Sequence, residues 1–235
     1  MPAAPPAPAA VPQPVAAPPP AVAVVGTNDV PETSPRPPPR LHRGLYLRID
    51  PSGVGYSGLS GSGPRGSASI SGLASYAGVS LGGSPVPGLA IAGTIWGASF
   101  QGDFSGGPFE GARLAAPAAG TSLGVSAKAS ATFGEIGLLF DYYPDPAGGW
   151  HAGATIGIGV AGIMNHADDS SWGGVALLGG AFAGYAWWIG REWSLGISAV
   201  GAGASGASLR DSTGKDTGYQ VSPVTFGLQT SILYY

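Results

Sequence analysis

Residues 150–160 read Trp-His-Ala-Gly-Ala-Thr-Ile-Gly-Ile-Gly-Val, and every even position in this stretch is apolar. The odd positions hold only His, Gly or Thr. Successive side chains of a β-strand point to opposite faces of its sheet, so this stretch predicts a strand with one apolar face and one face of small or polar residues. The end of the chain repeats the pattern, with Val224, Phe226, Leu228, Ile232 and Tyr234 alternating with Thr225, Gly227, Gln229 and Ser231.

Charge is scarce in the stretches of this kind. The chain of 235 residues is 10% charged, against about 25% in soluble domains. Within the predicted strands the charged residues are Arg48, Asp50, Lys128 and Glu135, with Asp141 at a strand edge. A strand whose outer face lacks charge needs an apolar environment, and the length of these strands indicates a lipid bilayer.

Outward from residues 150–160, the glycine-rich part of the chain divides into eight extended segments. They are 44–57, 67–83, 88–101, 124–142, 150–164, 173–188, 193–208 and 219–235. The connections alternate between short ones, near 84–87, 145–149 and 189–192, and longer ones, at 58–66, 102–123, 165–172 and 209–218. We therefore predict an all-β fold, an eight-stranded antiparallel up-and-down transmembrane β-barrel over residues 44–235, with both termini on the side of the short turns.

Residues 1–43 form a separate block that contains most of the 23 prolines, mixed with alanine. Proline fixes φ and donates no backbone hydrogen bond, so we expect a disordered periplasmic tether, with His42 and Arg43 in a solvated junction at its end. No signal peptide is visible in this block. The net charge of −3 argues against nucleic acid as a partner, and the absence of cysteine excludes disulfides and thiolate metal sites.

The aromatic residues sort to the two ends of the predicted strands, where amphipathic rings would form two girdles at the membrane interfaces. On the short-turn side these are Tyr46, Tyr142, Tyr143, Trp150, Trp187, Trp188, Trp193 and Tyr234. On the other side they are Tyr56, Trp96, Trp172 and Tyr219.

The few strand charges are predicted to point into the barrel. Arg48 and Asp50 share one face of the first strand, and a charge exposed to lipid costs about 2–4 kcal/mol. Lys128 and Glu135 would also point inward if a β-bulge near Gly134 explains a switch of the apolar phase in that strand. We expect these four charges to pair across the lumen and to plug it, with a gate or ion path as the alternative.

The chain resembles the small eight-stranded outer-membrane β-barrel proteins, the OmpA-transmembrane, OmpX and OmpW-like group. The resemblance covers 44–235 and includes a final strand that ends Ser231-Ile232-Leu233-Tyr234-Tyr235. It implies residence in the outer membrane of a Gram-negative bacterium and contact with outer-membrane lipid. It also implies that Leu233 and Tyr235 belong to a signal read by the barrel-assembly machinery. Unlike full-length OmpA, the chain has no peptidoglycan-binding domain after the barrel, so attachment to the cell wall is not implied.

Three other folds are less consistent with the sequence. Transmembrane helices conflict with the recurrent glycine, although 172–190 is an uncharged run. A soluble lipocalin-type barrel would need outer charge, and a glycine-rich structural protein would show a tighter repeat.

The function predicted from these patterns is a monomeric barrel with a structural or surface-interaction role, without enzymatic activity or cofactor. The loop 102–123 is the candidate contact for an extracellular partner. A narrow pore for small, including apolar, solutes is the alternative, and a lipid-modifying enzyme that uses His151 is a third. His166, Asp168 and Asp169 in an outer loop make an incomplete set of metal ligands, so no metal site is predicted.

Overall fold

The computed structural model describes residues 41–64, 66–106, 128–165 and 169–235. The first 40 residues of the predicted tether and most of loop 102–123 lie outside this set. The described residues form nine β-strands: β1 (Gly44–Gly63), β2 (Gly66–Val86), β3 (Leu89–Gly106), β4 (Lys128–Tyr142), β5 (Trp150–Asn165), β6 (Ser171–Trp188), β7 (Trp193–Ala204), β8 (Ala207–Asp211) and β9 (Asp216–Tyr234). Within these residues, no helix combines the length and the apolarity needed to cross a membrane.

The strands pair antiparallel in an up-and-down order, and β1 pairs with β9 to close the sheet into a barrel. The short β8 continues the line of β7 after a break at 205–206, and both pair with β6 and β9. Because β7 and β8 lie end to end between β6 and β9, the nine strands occupy eight positions around the barrel, which confirms the predicted fold. Closure of the sheet through the pairing of β1 with β9 leaves neither of these strands as an unpaired edge.

The alternation predicted for residues 150–160 is present in β5. Ile158 is 65% exposed on the outer surface, and His151 on the opposite face is buried. The structure also assigns the faces of β2 and β3, which the sequence left open. Their even-numbered residues point inward, among them Tyr76 and Trp96.

The prediction of a β-bulge near Gly134 was wrong. The register of β4 against β3 and β5 runs without a shift through this point, and Phe133 and Glu135 both point into the barrel. The apolar phase switches because Phe133 fills the lumen, whereas Ile136 and Leu138 face outward. Glu135 is therefore inside without any irregularity of the strand.

A register shift lies instead in β1, between Asp50 and Gly53. Pro51 has no N–H group for a ladder hydrogen bond, and prolines inside sheets favour such irregular positions. The shift exchanges the faces of the strand. Even-numbered residues such as Arg48 point inward before it, and odd-numbered residues such as Ser57 point inward after it.

The interior contains two apolar clusters. The loop-side cluster is the larger and includes Ile70, Tyr76, Trp96, Phe100, Phe133, Leu178 and Tyr219. The turn-side cluster includes Tyr46, Leu139, Tyr143, Phe182, Leu233 and Tyr235. Inward glycines make room for the rings: a Cβ at Gly78 would lie 2.9 Å from the Trp96 side chain, and one at Gly63 would lie 2.6 Å from Tyr219.

Four residues predicted for the girdles are therefore inside the barrel. Tyr46, Trp96, Tyr143 and Tyr219 are buried, so they cannot reach lipid headgroups. Trp172 packs, partly buried, against the loop-side cluster, and Trp188 packs in the same way against the turn-side cluster. The rings that project outward are those of Tyr56, Tyr142, Trp150, Trp187 and Trp193. Tyr234 is partly exposed. The placement of the five outward rings and of Tyr234 at the membrane interfaces remains a prediction.

The connections on the two sides are more alike in length than expected. The predicted loop 58–66 is mostly strand, since β1 extends to Gly63 and β2 begins at Gly66. The predicted loop 209–218 shortens to residues 212–215. Gly66 and Gly214 both have positive φ, the conformation that glycine adopts readily at a tight turn.

Candidate functional site

A group of four ionisable side chains lies inside the barrel near its turn side. This charge network consists of Arg48 and Asp50 on β1, Asp141 on β4 and His151 on β5, and all four are buried. Arg48 Nε lies 2.9 Å from Asp50 Oδ1, and Arg48 Nη1 lies 3.6 Å from Asp141 Oδ2. His151 Nδ1 lies 2.8 Å from the other oxygen of Asp141. The network therefore joins the first, fourth and fifth strands through side chains alone.

Asp141 is the centre of this arrangement. Its Oδ2 accepts hydrogen bonds from the hydroxyl groups of Tyr46, at 2.9 Å, and Tyr143, at 3.3 Å. The Arg48 guanidinium carbon lies 4.2 Å above the centre of the Phe182 ring, an arrangement that favours a cation. Aromatic groups therefore enclose the network, and the low dielectric around it strengthens its ion pairs.

The structure brings together only part of the predicted lumen charges. Arg48 and Asp50 form an ion pair, but Glu135 stands apart and accepts a hydrogen bond from Thr155 Oγ1 at 3.3 Å. Lys128 begins β4, and its side chain lies outside the described set. Asp141 and His151 were missed as network members. Their odd numbers, which place them on the inner faces of β4 and β5, were the available signal.

Ser198, His151 and Asp141 form a row of hydroxyl, imidazole and carboxylate groups, with Ser198 Oγ 3.5 Å from His151 Nε2. Nucleophilic serine enzymes use this order of groups. Here the Ser198 hydroxyl is buried. The cavity of about 20 Å³ beside Arg48 and Gln229 has room for a water molecule, and Ser198 and His151 do not line it. In this row Asp141 orients the imidazole of His151, and burial keeps the Ser198 hydroxyl away from the surface.

Four rings pack together at the turn-side mouth of the barrel. This aromatic cap consists of His42, Tyr143, Trp188 and Tyr235. The expectation that His42 belongs to a solvated junction was wrong, because its side chain is buried among these rings. Burial lowers the pKa of His42, and this effect exceeds the opposing influence of the Gly148 carbonyl and of Asp141. A histidine directly after a proline-rich block gave no sign of this position.

Metal ligands are sparse in the described part of the chain. No group of three or more His, Cys, Asp or Glu side chains is placed there to hold an ion. His166 and Asp168 lie outside the described residues, as do Phe109, Glu110 and Arg113 of the predicted partner loop.

No protein-family model and no curated protein sequence matches the chain. Among solved structures, the chain is similar to Neisserial surface protein A, with 12% identity over 81% of this chain and 96% of that one and a TM-score of 0.41. It is also similar to the attachment invasion locus protein Ail of Yersinia pestis, with 8% identity over 80% and 99% of the two chains and a TM-score of 0.41. The outer membrane protein OprG of Pseudomonas aeruginosa matches with 10% identity, coverage of 83% and 99%, and a TM-score of 0.35.

Proposed function

We propose that this chain is a bacterial outer-membrane β-barrel with a closed lumen and a structural or surface-interaction role. Large apolar side chains project outward at each of the eight positions around the barrel, for example those of Leu45, Leu81, Ile95, Ile136, Ile158, Val175, Ile197 and Phe226. Among strand residues with described side chains, the exposed charges are Arg210 and Asp216, at the loop side. Such a surface suits hydrocarbon rather than water, and a closed barrel satisfies its backbone there.

The observation that supports the closed lumen is the filling of the interior by side chains. The loop-side cluster fills one part of the barrel, and the turn-side cluster, with the charge network among its rings, fills the other. The cavity beside Arg48 and Asp50 is about 20 Å³. Eight strands leave an interior that side chains can just fill. The Arg48 guanidinium contacts the carboxylates of Asp50 and Asp141 and the ring of Phe182. Moving this side chain to open a path would therefore break all three contacts.

The surface role and the assembly route are further parts of this proposal. Loop 102–123 offers the longest connection and is the proposed contact for an extracellular partner. Leu233 and Tyr235 point inward at the end of β9, where we propose that the final strand is first recognised by the assembly machinery. We propose a monomer, since closure of the sheet within one chain leaves no edge for a second copy.

Single-channel recording in planar bilayers tests the closed lumen. The native protein should give no discrete conductance steps, whereas Arg48→Ala should give them because it removes the side chain that spans the network. Glu135→Ala, which changes an inward charge outside the network, is the matched control and should open less often. Regular steps from the native protein would contradict the proposal and favour the narrow pore.

A further inference from the structure

His42 is held at the turn-side mouth in the manner of a bound ligand. Its ring stacks on Tyr143 with centroids 3.7 Å apart and on Trp188 with centroids 4.7 Å apart. The Tyr235 ring is inclined to it by 70°, with centroids 4.2 Å apart. Three aromatic rings therefore surround this one imidazole.

Hydrogen bonds hold both the backbone and the ring of His42. The His42 N–H donates to Pro146 O at 2.9 Å, and the His42 carbonyl accepts from Gly88 N–H at 3.0 Å and from Ser84 Oγ at 3.1 Å. His42 Nε2 lies 2.8 Å from Gly148 O. Two neighbouring turns, the one at 87–88 and the one at 143–149, are thereby tied to a single residue.

The protonation state follows from these partners. Gly148 O can only accept, so Nε2 carries a hydrogen, and Nδ1 is buried without a partner. A proton on Nδ1 would create a buried charge with an N–H group that finds no acceptor, which is unfavourable. Asp141 and Asp145 would attract that charge and His151 would oppose it, but desolvation is the largest influence on the pKa of His42 and lowers it.

We propose that the turn-side mouth is a binding site for a neutral imidazole ring, and that His42 occupies this site in cis as a stopper. The site is made by Tyr143, Trp188 and Tyr235 around the Gly148 carbonyl. The binding site stands by itself, whereas the stopper role rests on the proposed closed lumen. A stopper attached to the N-terminal part of the chain can leave the mouth when its ring is protonated.

Chemical rescue tests the site directly. In His42→Ala, purified in detergent and checked for the heat-dependent gel shift of a folded barrel, added imidazole at pH 8 should bind saturably. The readout is a change in Trp fluorescence on addition of imidazole, which His42→Ala should show and His42→Ala/Trp188→Phe, with Trp188 replaced, should not. 1-Methylimidazole cannot donate to Gly148 O and should bind about tenfold more weakly, the value of one hydrogen bond. Imidazole at pH 5, where it is a cation, should not bind. Arg43→Ala, which alters the exposed neighbour, is the control and should not respond.

Equal binding of the two imidazoles, or none by a folded variant, would overturn the site. A second measurement needs no variant: the His42 ring in the native protein should titrate below the ordinary pKa of about 6.5 in NMR. An ordinary titration would also overturn the enclosed site. Conductance separates the two parts of the proposal. The comparison is made in the Arg48→Ala background, where the network is open. Conductance that rises when His42→Ala is added and falls again with imidazole would support the stopper, whereas imidazole binding without any change in conductance would leave the site and overturn the stopper.

Discussion

Replacing Arg48 by methionine removes the guanidinium that faces both Asp50 and Asp141, while keeping a side chain of similar length. Asp50 loses its partner at 2.9 Å and Asp141 loses a contact at 3.6 Å. Asp141 keeps His151 and Tyr46, but Asp50 is then buried without a cation. We expect the loss of stability to come chiefly from Asp50.

Removing one member of a buried ion pair costs about 3–5 kcal/mol, because the remaining charge stays desolvated. The contact of the guanidinium with the Phe182 ring, at 4.2 Å, contributes about 0.5–2 kcal/mol of that loss. Arg48→Met should therefore lower the free energy of unfolding by about 3–5 kcal/mol. In Arg48→Met/Asp50→Asn the stranded charge is absent, so at least about 2 kcal/mol should return.

Denaturant unfolding in lipid vesicles, followed by Trp fluorescence, measures both variants. Arg210→Met, which removes an exposed cation from β8, is the matched control and should change stability by less than about 0.5 kcal/mol. The reasoning fails if Arg48→Met unfolds within 1 kcal/mol of the native protein, a limit well below the range of about 3–5 for a buried pair. It also fails if the double variant is no more stable than the single one.

Three further outcomes follow from single positions. Gly227→Ala should lower the free energy of unfolding by about 1–3 kcal/mol in the same assay, because its Cβ would lie 2.5 Å from the Tyr76 hydroxyl. Gly58→Ala is the control and should be nearly neutral, because the nearest atom to its Cβ would be 3.7 Å away. A fluorophosphonate probe should leave Ser198 of the folded protein unlabelled, as mass spectrometry would show, and labelling lost in Ser198→Ala would reveal an accessible nucleophile. The pKa of His42 is lower when docked than in the unfolded chain, so docking is fully stable above pH about 6.5 and weakens as the pH falls through the lowered value. Limited proteolysis ahead of β1 should therefore accelerate in acid for the native protein but not for His42→Ala.

The alternation of β5 and β9 was enough to predict the barrel, because one face of each is apolar and the other is small or polar. The faces of β4 could not be predicted in this way. Phe133 and Leu138 are both large and apolar, yet one fills the lumen and the other faces outward. Period-two patterns identify a face only where the two faces differ in polarity, and an inner apolar cluster removes that difference.

The girdle prediction was wrong for Tyr46, Trp96, Tyr143 and Tyr219, for a related reason. A ring near the end of a strand lies either at the membrane interface or in the lumen. Which of the two depends on whether its residue number falls on the outward or the inward face of that strand, and on the space opposite it. Trp96 is paired across strands with Gly78, and the missing Cβ of that glycine leaves room for the indole. This pairing depends on the register between β2 and β3, which the sequence of either strand alone does not contain.

The charge network also bears on how the register of β1 is chosen. Without the shift between Asp50 and Gly53, one half of the strand would have to face the wrong way. Either Arg48 and Asp50 would meet lipid, at about 2–4 kcal/mol for the arginine alone, or Ser57 would leave its buried position for the outer surface. Pro51 favours the shift locally, and the pairing of Arg48 with Asp141 favours it from across the lumen. Because both influences select the same register, the buried ions do more than fill space. They penalise every one-residue slip of the strand that closes the barrel against β9.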